Sequence, residues 1–510
     1  MHVTAEKGIL YIHKANADVQ KLGAKFNRHL HCYEIAYTRP LLEKLKAMGA
    51  IVPAYVEQGM SLELYMRKRY LQSTIPREFS VGLFSYQCEG VRMLLAGYSL
   101  LADYMGLGKT ITALTYMRIV YNSRAVVVCP AFLKEKWAYE IEKWSGLPTR
   151  VIYGQQATQL PRRGVYIVNY DIVQYHLHML CRYPLDVVIA DEFHLCKNDA
   201  TIRTKAMRKL VANTKNFKAL TGTPILNNPI DLYPVLNMVD PFHFYSRKLF
   251  EEQYCTKYQD RIVGAKNHEK LYKALKRSIM IRRTFADVKG QIKGYKTTLD
   301  SQVIPIKLSD YTEYTRAESD LESYVYETTG KVYGEGLALQ RQKILKDIIY
   351  KQKKEMIFQW LDNFLLENQK ITLFFTRTEH LKEFANRYDA TIINGETPTN
   401  KRLQISKEFN TNNKLVLCCN IKAAGVGLDL IGCHYAGFVD LDDVWENMSQ
   451  AISRFDRIGQ EFPVVSVYYF VGLQTIEHHV ILKKLDTKHE NAKRIIDGRG
   501  LHGNERIVHD

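Results

Sequence analysis

Four short clusters carry residue types suited to phosphate chemistry. The stretch LADYMGLGKT (101–110) nearly matches G-x-x-x-x-G-K-[ST], a loop whose backbone N–H groups cradle phosphates. Gly108, Lys109 and Thr110 stand where that pattern puts them, but Asp103 takes the place of the first glycine and Tyr104 follows it. A bare G-K-T is common by chance. Here an apolar run precedes it and a helix-like run, ITALTYMRIVY (111–121), follows. In that setting amides at a helix N-terminus face an anion. Lys109 can reach the β- and γ-phosphates and the Thr110 hydroxyl can hold Mg²⁺, while Gly106 and Gly108 let the backbone approach without a Cβ. DEFH (191–194) offers Asp191 to a metal ion and Glu192 to orient and deprotonate water. Adjacent carboxylates at a strand end are costly unless a cation or hydrogen bonds offset them. LTGTPILNN (220–228) brings the hydroxyls of Thr221 and Thr223, which suit phosphate sensing, a nucleic-acid backbone or a plain turn. QAISRFDRIGQ (450–460) holds Arg454 and Arg457 at i, i+3, on one face if helical. Such a pair can stabilise charge in phosphoryl transfer, and equally can form a surface salt-bridge helix.

Elements able to position these clusters are visible as apolar runs: YSLLAD (98–103), AVVVCP (125–130), VYIVNY (165–170), LDVVIADE (185–192) and FKALTGTP (217–224). Helix-like segments lie between them, as parallel strands covered on both faces require. A second set follows: ITLFFT (371–376), KLVLCCN (414–420), YAGFVDLD (435–442) and VVSVYYFV (464–471). The chemical clusters come after the runs, where open α/β sheets bind ligands. The pattern predicts an α/β fold with two doubly wound parallel-sheet lobes, at 79–242 and 346–488. Between them, 243–345 reads as a helical insert or bridge. Residues 1–78 read as a small mixed accessory domain, and 489–510 as a polar, poorly ordered tail.

Composition agrees with roughly three folded domains in 510 residues. There is no apolar run long enough to span a membrane and no secretion signal at the N-terminus. The nine cysteines are scattered without a Cys-x-x-Cys pair; they read as core residues in a reducing compartment. HLHC (29–32) and HLH (176–178) lack a second ligand pair, which argues against zinc. Lys and Arg number 71 against 54 Asp and Glu, a net charge of +17 spread along the chain. A basic surface of that size favours a polyanion, nucleic acid first.

Taken in order, the motifs resemble those of superfamily-two helicases, specifically the Swi/Snf-type DNA translocases and their HARP-like annealing-helicase branch. That family's loop reads D-E-x-G-x-G-K-T, so Asp103 is expected and Tyr104 is the departure. SYQCEG (85–90), VVVCPAFLKEKW (126–137), VYIVNYD (165–171), LTGTPILNNPIDLYPVLNMVDP (220–241), SIMIRRTFADV (278–288), INGETPTNKR (393–402) and AAGVGLDL (423–430) extend the likeness over about 79–485. DEFH in place of DEAH, Asp443 in place of a usual Trp, and GYKT (294–297) in place of a proline-rich turn depart from it. The resemblance implies two RecA-like lobes that use ATP and Mg²⁺. Gln87, Lys109, Thr110, Asp191 and Glu192 would come from the first lobe, with Gln87 against adenine, and Arg454 and Arg457 from the second. DNA phosphates would meet Lys134, Thr221, Thr376, Arg377 and Arg402. The implied function is a DNA-dependent ATPase that translocates on duplex DNA and remodels or reanneals branched structures. The rivals are a strand-separating helicase and a non-catalytic DNA-binding scaffold. A monomer working with recombination or replication proteins is expected, in the cytoplasm of a microbial or viral host cell, or in the nucleus of a eukaryote.

Overall fold

Short apolar runs become buried parallel strands in a computed structural model of the chain. It describes residues 1–498 other than 7–8, 14, 16, 28–31, 37, 59–60, 157–158, 215, 223–227, 242, 260, 293–296, 330–336, 425–427, 458 and 461. Three of the four residues of HLHC, Thr223, the glycines of AAGVGLDL, most of GYKT and the last twelve residues therefore lie outside the described part.

The chain opens with antiparallel strands β1 (His2–Glu6), β2 (Ile9–His13), β3 (Lys25–Asn27) and β4 (Cys32–Ala36), ordered β1-β2-β4-β3. Val3, Leu10 and Ile12 pack with Leu42 and Leu45 of the helix Arg39–Ala47 and Met66 of the helix Leu62–Gln72 in a core of their own.

Next come β5 (Leu100–Leu101), β6 (Arg124–Cys129), β7 (Thr149–Val151), β8 (Gly164–Asn169), β9 (Val187–Ala190) and β10 (Phe217–Leu220). A hairpin of β11 (Cys255–Tyr258) and β12 (Arg261–Ala265) follows, then β13 (Met280–Ile281). The first large sheet runs β13-β5-β10-β9-β6-β8-β7, and every pair in it is parallel. The second large sheet holds β14 (Thr298–Ile306), β15 (Ile371–Phe375), β16 (Thr391–Ile393), β17 (Val416–Asn420), β18 (Tyr435–Phe438) and β19 (Val464–Gly472). Its order is β14-β19-β18-β15-β17-β16, again all parallel. Alternate residues of β15 serve opposite cores: Leu373 and Phe375 pack with Phe384, and Phe374 with Leu417 and Phe438. Two doubly wound parallel sheets are thus present, as the alternation of apolar runs and helices predicts.

The stretch 243–345 is richer than a helical insert. It contains helices such as Arg247–Tyr254, His268–Ser278 and Thr312–Ser319, but also the β11–β12 hairpin and two edge strands, β13 and β14. The division of the chain falls inside it. One unit comprises Met1–Tyr104, Gly108–Gln291 and Arg494–Gly498; the other holds Met105–Leu107 and Ile292–Lys493. Of the tail expected at 489–510, residues 489–496 are helical, and 499–510 lie outside the described residues. LKKLDTKHENAKRII forms a helix, Leu482–Ile496, in which Leu485, Ile495 and Ile496 are buried. No helix among the described residues is long and apolar enough to cross a membrane.

Candidate nucleotide site

Strand register gathers the first lobe's clusters. β10 lies between β5 and β9, with Leu220 level with Leu101 and Ala219 level with Ala190. The segments that follow, Ala102–Thr110, Asp191–Glu192 and Thr221, therefore leave the sheet together at its carboxyl edge.

In the loop, Gly106 and Gly108 adopt φ of +87° and +76°, which side-chain-bearing residues avoid. The helix Lys109–Val120 starts at once after them, with its first amides turned to the loop. A Cβ on Gly108 would sit 2.4 Å from Gln87 Nε2, so Gln87 lies directly against the loop. Its Oε1 accepts the Phe84 N–H at 3.0 Å, which fixes the buried amide. Lys109 Nζ donates to the carbonyls of Asp103 at 2.9 Å and Tyr104 at 3.3 Å. Burial pulls the Lys109 pKa down, and the charges of Glu192, Asp103 and Asp191 oppose that pull. Thr110 sits half-buried in the first helical turn.

Asp191 follows β9. Its Oδ2 accepts Trp137 Nε1–H at 2.9 Å and its Oδ1 accepts the Glu192 N–H at 3.0 Å. Burial, then the neighbouring Glu192 charge, push its pKa up to about 6, against the bond from Trp137 and the charge of Lys109. Glu192 has φ +50° and ψ +48°, a left-handed backbone uncommon for a non-glycine residue. His194 Nδ1 lies 3.3 Å from Glu192 Oε2 and 3.2 Å from Thr221 Oγ1. His194 therefore links Glu192, after β9, to the hydroxyl turn after β10.

Two arginines of SIMIRRTFADV, given no role by the sequence reading, brace this edge. Arg283 donates to buried Asp103 through Nε at 3.0 Å and Nη2 at 2.7 Å, and Nη1 also donates to the Tyr86 carbonyl. Arg282 Nη1 donates to the carbonyls of Ala102 at 2.7 Å and Gly222 at 3.2 Å, while its Nε donates to Asp497 at 2.7 Å. Asp103 is thus an anchor between the loop and β13's continuation. Tyr104 belongs to the same contact: its N–H donates to the Arg283 carbonyl at 2.8 Å. Its ring stands edge-on to Phe285 at 5.9 Å, with the Arg282 guanidinium 5.6 Å from its centre.

Several expected site residues have other partners. Lys134 is buried, donates to the Ile152 carbonyl at 2.9 Å and stacks over Tyr153, so it does not present its charge to a duplex. Thr221 is 2% exposed and faces His194 instead of solvent. Arg402 spends its guanidinium on four backbone carbonyls, of Thr397, Ala423, Asn394 and Gly395, and so braces its own loop. Thr376 and Arg377 remain half-buried at the end of β15. Asp440 accepts the Thr376 N–H at 3.0 Å, the Thr376 hydroxyl at 3.2 Å and the Arg377 N–H at 3.3 Å. The Arg377 guanidinium pairs with Asp347 at 3.1 Å. Arg454 and Arg457 do not share a helix face, because the helix Trp445–Ile452 ends before both. Arg454 is buried; Arg457 Nε donates to the Ser453 carbonyl at 3.0 Å and its Nη1 pairs with Asp429. Asp443 pairs with Lys346 at 3.2 Å.

The profile described as SNF2-related domain matches residues 61–352, and that of the helicase conserved C-terminal domain matches 352–459. A relative from Caenorhabditis elegans, named SWI/SNF-related matrix-associated actin-dependent regulator of chromatin subfamily A-like protein 1 homolog, is 28% identical over 436 residues, 79% of this chain and 61% of its own. DNA annealing helicase and endonuclease ZRANB3 of Bos taurus is 26% identical over 435 residues, covering 79% of this chain and 40% of its own length. This chain therefore spans only part of those relatives. Among solved structures, the Sulfolobus solfataricus SWI2/SNF2 ATPase core in complex with dsDNA is 22% identical, covering 80% of this chain and 91% of that one, with a TM-score of 0.42. With the first profile matching more than half its length, the chain belongs to the SNF2-related domain family.

Proposed function

We propose that this chain is an ATP-driven motor that moves along duplex DNA and remodels or reanneals branched DNA. The observation that carries the reading is the gathering of Lys109, Asp191 and Glu192 at one sheet edge beside a glycine loop that opens a helix. Lys109 would exchange its two loop carbonyls for phosphate oxygens, and Gln87 would read the base. Thr110 and Asp191 supply the hard oxygen donors that Mg²⁺ takes. Asp191 and Glu192 stand side by side at the end of a buried strand, and a cation there would offset their charge. When bound, Mg²⁺ would neutralise charge on the phosphates. Glu192, held by His194, would orient the attacking water and accept its proton. Arg454 and Arg457 are proposed as the second unit's contribution to charge stabilisation.

DNA binding is supported by the net charge of +17 and by the names of the relatives, which include annealing, endonuclease and chromatin-regulating proteins. Contacts to phosphate would make binding largely sequence-independent and salt-sensitive. Thr376 and Arg377 remain proposed DNA contacts. The test is the ATPase rate on single-stranded, duplex, forked and four-way DNA and on RNA. Triplex displacement is then compared with unwinding of a forked duplex. Displacement without unwinding is expected; no stimulation by any DNA would refute the reading.

A further inference from the structure

A cavity lies in the first unit, at the opposite end of the strands that carry the phosphate loop. Its volume is about 610 Å³, inside the range of small-ligand sites. Tyr98 on its wall precedes β5 and Arg277 precedes β13, whereas the phosphate loop leaves the carboxyl end of β5. Its walls come from the helices Leu62–Gln72, Ser85–Ala96 and His268–Ser278.

The lining combines rings with positive charge. Tyr70, Tyr98 and Tyr272 face the cavity with Arg67, Lys273 and Arg277. Two of the rings are held in place. Tyr98 donates its hydroxyl hydrogen to the Arg277 carbonyl at 3.2 Å, and the Tyr272 oxygen accepts from Lys276 Nζ at 3.0 Å. Tyr70 carries the Arg92 guanidinium 4.3 Å from its ring centre. The carboxylates present are Glu63 and Glu89, and Glu89 lies 3.6 Å from Arg283. Cations therefore outnumber carboxylates on the wall.

The geometry points to this cavity as a site for unpaired nucleotides of a single nucleic-acid strand. Fixed rings with flanking Lys and Arg match how single strands are held, with bases on aromatic faces and phosphates on cations. A duplex cannot offer its bases to a recess of this kind, because they are stacked inside the helix. The inference rests on the DNA reading above and deepens it: at a branch, the duplex would occupy the motor while a displaced strand occupies the recess.

The test uses the full chain and fluorescein-labelled oligothymidylate of about 12 nucleotides, a length one strand-binding site can cover. Arg67→Glu with Lys273→Glu reverses two exposed charges; Tyr272→Leu removes one ring and keeps the charge. Each is expected to weaken strand binding about tenfold and leave duplex-stimulated ATPase unchanged. Bromodeoxyuridine-substituted strand should crosslink within 62–72 or 268–278. A control pair, Lys205→Glu with Lys209→Glu, reverses exposed charges on a different helix. Strand affinity unchanged in the cavity variants, or lost equally in the control, overturns the site. So does displacement of the strand by poly-glutamate together with no effect of Tyr272→Leu, the pattern of an acidic-protein surface. Absence of any DNA-stimulated ATPase in the unmodified chain would sink the motor reading alone, since strand binding is measured without turnover.

Discussion

Replacing Asp103 with glycine would restore the general phosphate-loop pattern at the position where this chain departs from it. A residue serving only the loop would tolerate that change. The geometry predicts damage instead. Asp103 is 1% exposed and takes two charge-assisted hydrogen bonds from Arg283, whose side chain is 11% exposed. Removing one partner of a buried pair costs about 3–5 kcal/mol, because the other charge stays behind unpaired. Arg283 would keep its bond to the Tyr86 carbonyl and its neighbour Glu89, which points to the lower end, about 3 kcal/mol. The assay is urea unfolding of the full chain followed by tryptophan fluorescence, with Trp360 and Trp445 replaced by Phe so that Trp137 and Trp144 report on the first unit. Arg283→Met on the Asp103→Gly background should recover part of the loss, since it removes the stranded charge. A cost below about 1 kcal/mol, or strict additivity of the two changes, would refute the anchor assignment.

Four further outcomes follow from the site and its surroundings. Lys109→Ala should abolish ATP turnover while sparing most DNA binding, read by filter retention and phosphate release. Glu192→Gln should still bind ATP but lose hydrolysis by about 10²-fold or more, the usual worth of a positioned base; robust turnover would remove that role. Tyr104→Glu places a carboxylate beside Arg282 in competition with Asp497, so thermal stability should shift along with the KM for ATP. Lys218 is buried against the carbonyls of Leu94 and Tyr98, and burial lowers its pKa from 10.5 to about 7. Between those values the unfolded chain binds the extra proton, so stability should rise with pH from about 7 towards 10.5. Lys218→Met should flatten that rise in urea titrations run across the window.

Which features could be read from the sequence follows from how local each one is. The central strands of both sheets are buried on both faces and appear as unbroken apolar runs, such as AVVV in β6 and LFF in β15. β14 escapes that logic. TLDSQVIPI is a half-buried edge strand containing Pro305, and proline argues against a central strand while an edge tolerates it. β13 is two residues long, too short to leave a period. The loop 103–110 and the DEFH box are contiguous and legible for that reason. The Asp103–Arg283 pair joins residues 180 positions apart, and one sequence carries no signal for it. The arginine pair misled because i, i+3 spacing suggests one helix face, whereas Ser453 Oγ bonds back to the Gln450 carbonyl and the helix ends at Ile452. Lys134 and Arg402 entered through the family resemblance, and their own partners are not written in the motifs: Lys134 donates to the Ile152 carbonyl and Arg402 to carbonyls of its own loop.

The bond from Arg282 to Asp497 bears on any attempt to study the first lobe by itself. That unit is discontinuous in sequence, with Arg494–Gly498 packed beside residues more than two hundred positions earlier. A fragment stopped at Gln291 would carry Arg282 without its carboxylate, directly behind the carbonyls of Ala102 and Gly222. Stitching the last helical turn onto Gln291 by a glycine-serine linker, as a rearranged single chain, would return that counter-charge. A minimal nucleotide-binding lobe is therefore a matter of chain order as well as chain length.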